Sequence, residues 1–160
     1  MDEIQNILDR TAKSDALIAR PADDTAIERC DRALHEIGLL PLPEGYARFL
    51  KSANGYAWNG FEFFGTDRCT EDASDYVLRD IVEFNAYIRE RTSFADEVLV
   101  LGRFDEDIYI YDSTENSYKA IDRLTSMDAD AFDSFEDLLT STVGLYVEYD
   151  EDEDTDEDEG

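Results

Sequence analysis

Residues Leu42–Gly65, LPEGYARFLKSANGYAWNGFEFFG, form the stretch whose reading decides the fold. Pro43 suits the first position of a helix, where its missing N–H leaves nothing unsatisfied. Tyr46, Phe49, Leu50 and Ala53 recur at i, i+3, i+4 and i+7, which places them on one buried helical face. Asn54-Gly55 then supplies the left-handed backbone that stops a helix. From Gly60 to Phe64 the aromatics Phe61, Phe63 and Phe64, closed by Gly65, read as a short buried strand. Trp58 lies between the two elements, either packed in the core or partly exposed as an anchor for a partner.

On the N-terminal side, Ile4, Ile7, Leu8, Leu17 and Ile18 keep broadly helical spacing from Asp2 to about Ala19, and Pro21 interrupts it. Thr25-Ala26-Ile27-Glu28 has the form of a capping box. The stripe Ile27, Cys30, Leu34 and Ile37 follows and ends at Gly38. On the C-terminal side a polar stretch, Thr66–Tyr76, precedes Asp80-Ile81-Val82-Glu83, a capped helix start with Ile81, Phe84 and Ile88 facing inward. Val98–Leu101 is an uninterrupted apolar run, as expected of a strand buried on both faces. Asp105-Glu106-Asp107 turns the chain into Ile108–Tyr111, with Ile108 and Ile110 expected on one face and Tyr109 and Tyr111 on the other. Tyr118–Ile121 pairs next across the loop Ser113–Ser117, and Ser134 opens a last helix with Phe135, Leu138, Leu139 and Val143 inside.

Tight turns rather than helical crossovers join the strands. The expected class is therefore α+β. A mainly antiparallel sheet of about four to six strands is flanked by N-terminal helices, a mid-chain helix and a C-terminal helix.

The 160 residues, 42% of them hydrophobic, suffice for one domain with a real core, expected over residues 1–147. Residues 148–160 are expected as a disordered acidic tail, because charge density opposes compaction. Removing the ten acidic residues of Glu148–Glu159 from a net charge of −27 leaves −17 on the body. A field of that sign attracts basic partners and repels nucleic acid and anionic membranes. The N-terminus, MDEIQNILDR, lacks the features of a signal peptide, and no apolar run approaches the roughly 18 residues of a membrane span. A cytoplasmic location is expected, with Cys30 and Cys69 as idle thiols rather than a disulfide.

No catalytic constellation is visible. The single histidine, His35, lies beside an apolar stripe with no nucleophile near it in sequence, which fits a structural or surface role. There is no G-x-S-x-G elbow and no phosphate-cradling glycine loop. Asp105-Glu106-Asp107 and Asp128-x-Asp130 lack the spacing and central glycine of a calcium loop. The first reads as a hairpin turn and the second as a solvated loop. Neither metal nor cofactor is expected.

The order of these elements carries a family likeness. The Leu-Pro helix, Asn-Gly, Trp58 and the strand closing on Phe64-Gly65 resemble the opening of the SMI1/KNR4 (SUKH) superfamily. Asp80-Ile81 with Asn85 resembles its mid-chain helix, Leu101–Phe104 through Ile108–Asp112 its central hairpin, and Phe135–Leu139 its closing helix. The likeness spans roughly Leu42 to Leu145.

It implies a non-enzymatic binding protein, and for bacterial members an immunity protein that neutralises a cognate polymorphic toxin, often a nuclease. The partner is then a basic protein whose cleft an acidic surface fills. Candidate contacts are Asp67, Glu71, Asp72 and Asp75 in the polar stretch and Asp105, Glu106 and Asp107 at the turn, with Tyr109 or Tyr111 as aromatic anchors. The alternatives are a regulatory adaptor, as eukaryotic members resemble, and a metal-dependent hydrolase built on carboxylates.

Overall fold

The computed structural model describes residues 2–70, 76–91, 97–122 and 128–159. The chain opens with helix α1 (Glu3–Ala12), followed by β1 (Leu17–Ile18), α2 (Asp24–Glu36), α3 (Glu44–Leu50), β2 (Tyr56–Trp58) and β3 (Phe61–Phe63). Next come β4 (Cys69–Thr70), β5 (Val77–Leu78), α4 (Ile81–Arg89), β6 (Val98–Phe104), β7 (Asp107–Asp112), β8 (Ser117–Asp122), β9 (Asp128–Phe132) and α5 (Phe135–Glu159). Seven strands form one antiparallel sheet in the order β1-β2-β3-β6-β7-β8-β9, and β4 pairs with β5 separately. The α+β class and the flanking helices agree with the sequence reading; the sheet is slightly wider.

Helix starts are set by short polar side chains that satisfy otherwise orphaned N–H groups. Asp2 accepts from Ile4 at 2.9 Å, Asp80 from Glu83 at 2.7 Å and Ser134 from Asp137 at 3.0 Å. For α2 the cap is Asp23, which accepts from Ala26 at 2.8 Å, so the box expected at Thr25–Glu28 lies inside the helix. Pro43 is the cap of α3, one residue before its first turn. Gly55 (φ +116) turns the chain into β2, several residues after α3 has ended.

Helices cover both faces of the sheet. Phe135 of α5 meets Tyr46 and Phe49 of α3 and Phe63 of β3 with ring centroids 5.0–5.6 Å apart. α1 packs against α5. On the opposite face Phe84 of α4 stacks on Phe64 at 4.3 Å, and α2 packs against α4. Two buried side chains tie helices to strand backbone. The Tyr46 hydroxyl donates to the carbonyls of Phe64 and Leu101. The Asn85 amide receives the Val100 N–H at 2.8 Å and donates to the Val100 carbonyl at 2.9 Å, as a neighbouring strand would. Gly102 sits at a bulge in β6, and a Cβ there would lie 2.3 Å from the Glu62 carbonyl oxygen.

Four further sequence expectations are corrected. Leu17 and Ile18 pair with Ala57 and Tyr56 as an edge strand instead of extending α1. Asp128-x-Asp130 belongs to β9, where Asp130 is registered against Ala120, and is not a loop. Tyr109 is 2% exposed, because the sheet is covered on the Tyr109 face as well as the Ile108 face. The helix α5 runs on to Glu159 across the segment expected to be disordered; propagation from a packed helix needs no new nucleus.

Candidate functional site

The β6–β7 turn begins with Asp105 in the left-handed region (φ +53), which aspartate tolerates better than most residues. Phe104 pairs with Asp107, so Asp105 and Glu106 alone form the tip, and both are exposed. In the β7–β8 ladder Asp107 stands directly opposite Asp122. Burial raises the Asp107 carboxyl above its ordinary pKa, and the charges of Asp122, Asp105 and Asp130 push it the same way. Carboxylates from the turn, β8 and β9 thus lie within electrostatic range of Asp107 at one end of the sheet. Like charges facing each other across a ladder destabilise it, so this grouping opposes folding.

An aromatic surface adjoins the turn. Phe104 stacks on Phe61 at 4.1 Å, and the ring of Tyr146 from α5 meets them at 5.4 Å and 5.2 Å. Tyr146 is 43% exposed and its neighbour Leu145 57%. Glu148, the first residue of the acidic segment, follows two positions later and is exposed. The acidic turn and the start of the acidic segment therefore lie at the same end of the molecule.

The expected contact residues do not all converge here. Asp105, Glu106 and Asp107 do. Tyr109 does not serve as a surface anchor, for its ring is stacked on Phe63 at 5.4 Å within the core. Tyr111 is half-buried at the far end of β7, about 13 Å along the strand from Asp107 at 3.3 Å per residue. Its hydroxyl donates to Asn116 at 2.5 Å. Asp67 lies beside α2 and accepts from Arg29 at 2.8 Å. Glu71, Asp72 and Asp75 lie outside the described residues. Asp122, Asp130, Phe104 and Tyr146 were not foreseen; the cross-strand register and helix docking that group them have no local signal.

The remaining polar candidates have structural environments. His35 is exposed in the last turn of α2, which fits a surface role. Trp58 is buried at 7% exposure, the core alternative of its two readings. No disulfide joins Cys30 and Cys69, and burial pushes the Cys30 thiol up to about 12. Among the described residues no group of three or more His, Cys, Asp or Glu could hold a metal ion. Among them also, no helix is long and apolar enough to cross a membrane.

No protein-family model matches the chain, and neither does any curated protein. The site rests on its geometry.

Proposed function

We propose that this protein is a non-enzymatic binding protein, an immunity protein of the SMI1/KNR4 (SUKH) kind that neutralises a cognate basic toxin in the cytoplasm. The observation that supports this reading is the concentration of charge at one end: Asp105, Glu106, Asp107, Asp122 and Asp130 beside the exposed ring of Tyr146. Like charges gathered at a cost to the fold suit a surface that receives counter-charges from another molecule. The likeness of Leu42–Gly65 and the later elements to that superfamily points the same way.

Mechanistically, the field of the acidic body steers a basic protein toward this end and speeds encounter. Asp105 and Glu106 at the tip meet lysine and arginine side chains first. Tyr146 and Phe104 supply the apolar contact that slows dissociation, as interface aromatics do. Occupying a basic cleft in this way blocks an anionic substrate both sterically and electrostatically.

The test is the association rate with the product of the gene immediately upstream, measured from low to high salt. D105N/E106Q/D107N should slow association by about tenfold or more at low salt and flatten the salt dependence. Three equivalent neutralisations within 150–159 should do less. If the tail variant has the larger effect, the turn is not the docking element; if co-expression gives no protection, the immunity reading fails.

A further inference from the structure

Successive side chains of a strand point to opposite faces. Phe61 and Phe104 go to the α5 side, so Glu62 and Arg103 go to the other, where they are registered against each other. There they line a cavity of about 340 Å³ with Phe64, Phe84, Tyr76, Val77, Arg79 and Tyr87. Three of the large hydrophobic side chains most exposed among the described residues surround it: Tyr76 (39%), Val77 (43%) and Tyr87 (39%).

The polar wall is fixed. Arg103 donates to a single Glu62 oxygen through Nε at 3.1 Å and Nη2 at 2.8 Å, and the Tyr76 hydroxyl hydrogen-bonds the same carboxylate. Tyr87 is held by Arg91, whose guanidinium lies 3.8 Å from the ring centroid and donates to the Tyr87 carbonyl at 3.1 Å. Arg79 is different. Its guanidinium lies 4.9 Å from the centre of the Tyr87 ring, and among the described residues no carboxylate pairs with it.

We propose that this cavity binds a small monocarboxylate with an aromatic or branched apolar body. The volume lies at the lower end for small-ligand sites, which combine apolar walls with a few placed polar groups. The lining carries two positive charges against one negative, which matches one anion. The Arg79 fork takes the carboxylate, and Tyr87, Phe84 and Val77 take the apolar body. The overall negative charge opposes every anion at long range, so affinity comes from these contacts and lies near the millimolar level. The site is on the opposite sheet face from the acidic turn and does not depend on the toxin-binding reading.

The experiment is a titration of the ¹⁵N-labelled full chain with N-acetylphenylalanine, followed by amide chemical shifts. Saturable shifts should centre on Tyr76–Arg79 and Phe84–Tyr87. R79Q, at an exposed position, should keep the dispersed spectrum and weaken binding about tenfold, the loss of one charge-assisted hydrogen-bond pair. Neutral N-acetylphenylalaninamide should bind comparably weakly, and Y87S should weaken both probes. Equal shifts with acid and amide, unchanged binding by R79Q, or shifts scattered over the surface would each overturn the assignment.

Discussion

Asp107→Asn isolates the cost of gathering negative charge at the β6–β7 turn. The carboxyl faces Asp122 directly across the ladder and is held above its ordinary pKa by burial and by Asp122, Asp105 and Asp130. A raised carboxyl pKa means that the folded chain disfavours the ionised form. The penalty is absent below the unfolded value near 3.8, grows as pH rises toward the folded value, and is complete above it. A directly opposed like-charge pair costs about 0.2–1 kcal/mol. D107N should therefore be more stable than the native chain by about 0.5–1 kcal/mol at pH 7, raising Tm by about 1–4 °C for a domain of this size. Urea and thermal denaturation at pH 7 and again near pH 3 read this directly. The advantage should vanish at the acid end and shrink in high salt, where exposed charges are screened. A variant less stable at neutral pH, or equally stabilised at both pH values, would refute the electrostatic account. If the turn binds a basic partner, the same substitution weakens binding while it strengthens the fold, the usual opposition of site and stability.

Two other outcomes follow from buried groups. Asn85→Leu keeps the branched heavy-atom skeleton, in bulkier groups, but strands the Val100 N–H and carbonyl, and should lower stability by about 2–4 kcal/mol in urea titration. A loss below about 0.5 kcal/mol would mean that Val100 finds other partners. Iodoacetamide at pH 8 should label Cys69 in the native protein and leave Cys30, at 3% exposure and with its thiol pushed up to about 12, until urea is added. Rapid native labelling of Cys30 would contradict its burial in α2.

Elements with strong local signals were readable directly. The cap at Asp80, the apolar run from Val98, the turn at Asp105–Asp107 and the start at Ser134 are all decided by residues within a few positions. What escaped depends on distant chain. Leu17-Ile18 is too short to show a period, and becomes a strand only through Tyr56 and Ala57. β9 alternates Asp with Ala, residues of poor strand propensity, and is ordered by β8. Tyr109 alternates correctly with Ile108 and Ile110, yet alternation does not reveal that helices cover both faces. The acidic turn was visible as a charge run. Its companions Asp122 and Asp130 and the ring of Tyr146 arrive by register and helix docking, and the Arg79 cavity by the meeting of β3, β6 and α4.

The two edges of the seven-stranded sheet bear on how the protein behaves at high concentration. An open edge is a template for another chain's strand. β1 offers only two residues, too few to seed a lasting pair. β9 is longer, but its sequence DADAF brings negative charge to any incoming copy of an already acidic chain. One edge is closed by length and the other by repulsion. The fold can therefore keep a wide, largely apolar sheet without growing into fibres, and concentrated solutions should resist strand-to-strand assembly until acid removes the charge from β9.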